Sequence, residues 1–170
     1  MVMNAHRELT VPLDTSYLSQ IRKEVMEVLG TELFEPVKAN LIALAVDEAV
    51  ANIMEHAYGV KPGKAVQDAE NIILVLDLTP ERFAVTIRDN GAGFDPREAP
   101  AVDVKEQVKA GRKGGLGIFL IRRIMDEVNY TSKENTHNEL QLVKYVDEAA
   151  GKAKSRELGL ETNGGALSVG

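Results

Sequence analysis

The chain has 170 residues, 44% of them hydrophobic, and a formal net charge of -6. That suits one domain with a complete core, and no dense Lys/Arg patch marks a nucleic-acid partner. There is no cysteine, which excludes disulfides and thiolate metal sites. "MVMNAHRELT" lacks the apolar run of a signal peptide, and no stretch is long and apolar enough to span a bilayer. A cytoplasmic protein with no membrane partner and no direct nucleic-acid partner is expected.

"HRELTVPL" alternates in part and predicts a first strand. Asp14, Thr15 or Ser16 can cap a following helix, and Gly30 can end it. Within it Leu18, Ile21, Val25 and Val28 or Leu29 recur at helical intervals. Pro36 sits where helices start, and a second helix is predicted from about Glu35 to Ala57, broken by Gly59, Pro62 and Gly63. "NIILVLDL" and "RFAVTIRD" read as strands, Asn71 to Leu78 and Arg82 to Asp89, joined by "TPE" as an antiparallel hairpin. Asn90 to about Gly117 is mostly loop, with a short helical piece around Val102 to Ala110. A third helix is predicted from Ile118 to Val128, and "NYTSKE" and "NELQLVKYV" as closing strands. Residues 1–147 are read as one domain. From Glu148 apolar periodicity is weak, and 148–170 is read as a flexible tail.

The second helix carries an unusual line. At about 100° per residue, Ile42, Val46, Ala49, Val50, Ile53 and Ala57 form a core stripe. Glu48, Asn52 and His56 fall on the other side, beside the apolar Leu41 and Ala45. A solvated face with stray apolar residues explains this at no cost. A ligand cleft explains why polar heads stand among apolar neighbours. An amide oxygen with a carboxylate one turn away suits Mg²⁺, which takes few protein oxygens beside water and phosphate. A carboxylate can also deprotonate an attacking hydroxyl. A histidine such as His56 more often packs or caps.

In "RFAVTIRDNGAGF", Phe83, Val85, Ile87 and Asp89 share one strand face, because side chains alternate. Asp89 therefore points toward the helices, where a carboxylate needs a partner. A turn aspartate bonding nearby amides satisfies that; so does an acceptor for a ligand amine, with Gly91 and Gly93 admitting a flat ring. "GRKGGLGIFLIRRI" sets Gly111, Gly114, Gly115 and Gly117 ahead of a helix whose free N–H groups can bind an anion. A plain hinge loop has the same composition. The stretch is not a Walker A loop, since no G-x-x-x-x-G-K-[ST] occurs.

The order of these blocks resembles the GHKL ATP-binding superfamily, which includes gyrase-type ATPases, histidine-kinase catalytic domains and anti-sigma-factor serine kinases. The matching residues are Glu48 and Asn52 in "VDEAVANIMEHAYG", Asp89, Gly91 and Gly93 in "RDNGAGFDP", and Gly115 and Gly117 in "KGGLGIFLIRRIMDEV". The resemblance covers about residues 6 to 146. "DEAVANIMEHAYG" and "GLGIFLIRRIMDEVNY" look most like the stand-alone anti-sigma-factor serine/threonine kinases.

The fold this implies is an α+β two-layer sandwich, with a mixed, mostly antiparallel sheet and helices on one face. The activity implied is phosphoryl transfer from ATP, with Mg²⁺, to a serine or threonine of an anti-sigma-factor antagonist. The kinase would alternate between that partner and a sigma factor, and relatives suggest a homodimer. Asp89 would accept the adenine amine, Asn52 would hold Mg²⁺, and Glu48 would be the base. The nucleotide-binding set implied is Asn52, His56, Asp89, Gly91, Gly93, Phe94, Lys113, Gly114, Gly115, Leu116 and Gly117, with a lid between Phe94 and Gly114.

Two residues depart from the pattern. Lys113 stands where these kinases often carry Arg, which keeps the charge and loses the bidentate fork. Asn138, in "THNELQLVKY", stands where the superfamily often has Gly-Thr, and so breaks the pattern for a phosphate contact from that strand. "HRELTVPL" also resembles the phospho-accepting box of histidine kinases, yet only one helix separates it from the Glu48 helix, so His6 is read as a strand residue. Three rival functions remain: a nucleotide-gated protein that sequesters a partner without phosphorylating it, an ATPase driving a conformational cycle, and a kinase whose circuit does not end on a sigma factor.

Overall fold

The computed structural model describes residues 4–66, 71–111, 115–132, 136–147, 149, 153, 156 and 157. Most of the expected tail lies outside these residues. Strand β1 (Ala5–Val11) is followed by a 3-10 turn (Thr15–Tyr17) and helix α1 (Leu18–Leu29). Asp14 caps the turn by accepting from the Ser16 N–H at 2.8 Å. Gly30 closes α1 with φ 57°, donating to the Met26 carbonyl at 3.1 Å.

Helix α2 (Pro36–Asn52) starts on Pro36, whose missing N–H costs nothing in a first turn. It ends at Asn52, earlier than the expected Ala57. Residues Ile53–Ala57 form a π turn instead. A π turn winds more residues per revolution than an α-helix, so His56 no longer continues the line of Glu48 and Asn52.

Strands β2 (Ile72–Leu78) and β3 (Arg82–Asp89) form the predicted hairpin. The Thr79 N–H donates to the Arg82 carbonyl at 2.9 Å, and the Thr79 hydroxyl oxygen accepts from the Arg82 N–H at 3.2 Å. Helix α3 (Val104–Lys109) is short and capped by Asp103, whose carboxylate accepts from the Lys105 and Glu106 N–H groups. Helix α4 (Leu116–Ile124), β4 (Glu127–Ser132) and β5 (Asn138–Tyr145) complete the order.

The third helix was expected to reach Val128, and it stops four residues sooner. Met125 turns extended, with φ -85° and ψ 146°. The Asp126 N–H donates to the Val143 carbonyl at 2.8 Å, and its carboxylate accepts from the Tyr145 N–H at 2.8 Å and Lys144 Nζ at 3.1 Å. Pairing with β5 overrides the local helical preference of "MDEV".

The five strands run in the order β1-β2-β3-β5-β4. All four pairings are antiparallel, and the described residues hold no parallel pair beside them. One parity of side chains (Leu74, Leu76, Phe83, Val85, Ile87, Leu140, Leu142) joins Ile21 and Val25 of α1, Ile42 and Val46 of α2, and Ile121 of α4 in one core. The opposite parity contributes a separate small cluster of Ala84, Val143 and Tyr145. The helices therefore pack on one face, and the α+β reading holds. No helix among the described residues is long and apolar enough to cross a membrane.

Candidate functional site

Glu48 and Asn52 are half-buried on α2, while Leu41 at the same side is 43% exposed. What covers the two polar residues is the start of α4. A Cβ placed on Gly117 would overlap Glu48 Oε2, and would lie 3.2 Å from Glu48 Cδ and 3.3 Å from Asn52 Nδ2. Glycine leaves the carboxylate its place there; any larger residue would push the end of the Glu48 side chain aside. Glu48 and Asn52 thus face the start of α4 and are half-buried, not fully solvated. Asn52 Nδ2 is buried and has no hydrogen-bond partner among the described residues, which is costly unless a further group completes its bonding.

The start of α4 is built on glycine. Gly115 is its N-cap, with φ 82°, and a Cβ there would lie 2.6 Å from Val102 Cγ2 in the loop before α3. The N–H groups of a first helical turn have no partner inside the helix and carry the positive end of its dipole. Gly115, Leu116 and Gly117 form this first turn, beside the Glu48 carboxylate and the Asn52 amide. Arg112, Lys113 and Gly114 lie outside the described residues.

Asp89 ends the core face of β3 and is only 4% exposed. Its Oδ1 accepts from the Gly91 N–H at 2.9 Å and from Asn138 Nδ2 at 3.1 Å, which offsets the cost of burying a carboxylate. The turn reading of Asp89 holds, since Oδ1 accepts from the Gly91 N–H; Oδ2 takes no protein donor among the described residues. Gly91 is held close to the end of the π turn. A Cβ on it would lie 2.9 Å from Ala57 Cβ, the Ala57 carbonyl oxygen and Tyr58 Cε2. The Ala92 N–H donates to that Ala57 carbonyl at 3.1 Å, and the Asn90 N–H to the Tyr58 hydroxyl at 2.8 Å. The glycine loop after β3 is thereby fastened to the end of the segment that carries Glu48 and Asn52.

Phe94 and His56 stack, with ring centroids 4.6 Å apart and 19° between planes. His56 is exposed, and the stacking on Phe94 is a packing contact. Gly93 faces β4: a Cβ there would lie 3.1 Å from the Tyr130 hydroxyl. That hydroxyl accepts from the Phe94 N–H at 3.0 Å. Burial pushes the Tyr130 phenol up, against the lowering pull of the Phe94 N–H.

The loop after Phe94 is anchored at its near end. Arg122 Nη2, on α4, donates to the Pro96 carbonyl at 2.5 Å and the Ala99 carbonyl at 3.2 Å. Arg97 pairs with Asp95 at 2.7 Å and reaches the Tyr130 carbonyl at 3.2 Å. Burial raises the Asp95 carboxyl, but the side-chain and backbone hydrogen bonds from Arg97 outweigh it and hold it below the usual range.

Sequence reasoning did not single out Tyr58, Tyr130 or Arg122 as site residues. Only the alternation of Tyr130 with Val128 hinted at an inward position. His6 sits in β1, 66% exposed at its side chain, with Nδ1 2.5 Å from Asp77 Oδ1. It is a strand residue, as read.

The chain matches the family model described as the histidine kinase-like ATPase domain over residues 11–144. It is 27% identical over 143 residues to the serine-protein kinase RsbW of Bacillus cereus (strain ZK / E33L), covering 82% of this chain and 84% of that protein. It is 29% identical over 144 residues to the serine-protein kinase RsbW of Listeria monocytogenes, covering 82% and 87%. Among solved structures, a chain of the SiaB-SiaC complex from Pseudomonas aeruginosa superposes with a TM-score of 0.55 at 19% identity, over 81% of this chain and 88% of that one. The last likeness is one of fold.

Proposed function

The chain belongs to the histidine kinase-like ATPase domain family, and from that premise we propose that it is an ATP- and Mg²⁺-dependent serine/threonine protein kinase. Its substrate on this reading is an anti-sigma-factor antagonist, within a circuit in which the kinase also binds a sigma factor. The observation that carries the reading is the meeting of Glu48, Asn52 and Gly117: an acid, an amide and a glycine helix start in one contact. The likeness to serine-protein kinases along most of the chain supports it.

In this mechanism Asp89 Oδ2 accepts from the adenine amine, and Gly91 and Gly93 let the ring approach. The first turn of α4, from Gly115 through Gly117, receives the phosphates. Asn52 would hold Mg²⁺. Its buried Nδ2, unpartnered among the described residues, fits that role, because turning the amide brings Oδ1 to the same place. The described residues contain no group of three or more His, Asp and Glu able to hold a metal. An ion here would thus lean on phosphate and water oxygens, as Mg²⁺ does. Bound Mg²⁺ supplies charge neutralisation on the phosphates. Glu48 takes the proton of the acceptor hydroxyl. The hydroxyl oxygen bonds to the γ-phosphorus, the bond from that phosphorus to the bridging oxygen breaks, and ADP leaves.

Calorimetry with ATP and ADP, with and without Mg²⁺, tests the site, and label transfer from γ-labelled ATP to a co-purifying protein tests the chemistry. Nucleotide binding with transfer to a serine is expected. No nucleotide binding overturns the site; binding without transfer to any protein makes the chain a nucleotide-gated sequestering module.

A further inference from the structure

We propose that Asn138 is a positioning residue that sets the base specificity of the nucleotide site. It makes Asp89 a one-sided acceptor that takes an exocyclic amine and rejects a carbonyl. The inference rests on the nucleotide reading above and concerns a residue at which the chain departs from the superfamily pattern.

Asp89, Asn138 and Ser132 form a row across three neighbouring strands. Asn138 is the register partner of Asp89 on one side and of Ser132 on the other. The row is hydrogen-bonded throughout. The Ser132 hydroxyl donates to Asn138 Oδ1 at 2.8 Å. Asn138 Nδ2 donates to Asp89 Oδ1 at 3.1 Å and to the Gly91 carbonyl at 3.0 Å. An amide nitrogen has two hydrogens, and both are used. Turning the amide over would set its oxygen against a carboxylate and a carbonyl, so only one orientation is compatible with the row.

The consequence falls on Asp89. With the Gly91 N–H as second donor, Oδ1 is fully engaged and the carboxylate plane is pinned. Asn138 is 6% exposed and Asp89 4%, so water is a poor substitute for either donor. Oδ2 is left to the ligand and offers lone pairs only. A 6-amino purine presents an N–H to it; a 6-oxo purine presents a lone pair and leaves a buried acceptor unpaired, which is the strong form of discrimination. Without Asn138 the carboxylate loses one anchor and can turn, and its preference is diluted.

The test is calorimetry of ADP and of inosine diphosphate, which differ at that substituent, on the wild type, Asn138→Ala and Asn138→Asp. The wild type is expected to prefer ADP by on the order of 100-fold. Asn138→Ala is expected to cut that preference about tenfold, by weakening ADP while inosine diphosphate changes little. Asn138→Asp keeps the shape and swaps the donor for an acceptor, and its preference should fall at least as far. A wild type that binds both nucleotides equally overturns the inference. So does a variant that weakens both alike with the ratio kept, because that is what a merely structural role would give. A wild type that binds neither overturns the nucleotide reading itself.

Discussion

Gly117 of α4 and Glu48 of α2 share one contact: a Cβ on Gly117 would overlap Glu48 Oε2 and lie 3.2 Å from its Cδ. The obstacle is the far end of a flexible side chain, so Gly117→Ala can fold by moving the carboxylate aside. Alanine is also the better helix former by about 1 kcal/mol. Thermal stability should therefore stay within a few degrees of wild type, while phosphoryl transfer is lost because Glu48 is displaced. Melting curves beside a transfer assay check this. A variant that folds and transfers normally would mean that the position of Glu48 does not matter.

Glu48 and Asp89 should separate cleanly. Glu48→Ala is expected to leave ATP binding largely intact and abolish transfer. Asp89→Asn puts a donor on the amine side and should cost roughly 1.5–3 kcal/mol of nucleotide affinity. Titration of both variants with ADP, followed by single-turnover transfer, distinguishes them. Normal transfer by Glu48→Ala would remove it as the base.

Arg122 ties the loop after Phe94 to α4 through the Pro96 and Ala99 carbonyls. Arg122→Met keeps the stem and removes the donors, leaving two carbonyls short. The expected cost is about 1–3 kcal/mol. Amide exchange should accelerate at Glu98, whose N–H donates to the Asp95 carbonyl at 3.1 Å, while β3 keeps its protection. Uniform acceleration across the sheet would instead mark Arg122 as a core support.

Tyr145, on the other face of the sheet, supplies a pH signature independent of nucleotide. Burial and the hydrogen bond to Glu127 at 2.5 Å push its phenol from 10.0 up to about 12. The folded chain holds the proton where the unfolded chain releases it. This contribution is complete below about pH 10 and is lost as pH rises through about 12. The melting-temperature gap between wild type and Tyr145→Phe should shrink across that window. A gap that stays constant would show that the phenol does not titrate differently on folding.

The order of strands and helices, though not every end, and the face that Asp89 takes were legible in the amino-acid sequence alone. These follow from local periodicity: alternation in "RFAVTIRD" turns Phe83, Val85, Ile87 and Asp89 one way whatever lies beyond. The sequence also exposed the odd line of Glu48 and Asn52. It did not reveal that α2 gives way to a π turn at Ile53, that α4 ends at Ile124, or that Asn138 grips Asp89. Each of those depends on a partner distant in the chain. Asp126 meets β5, Gly91 meets Ala57, and Asn138 lies 49 residues from the carboxylate it holds. Register between strands and the packing of α4 on α2 decide such contacts, and neither is encoded within the reach of a single helical turn or strand.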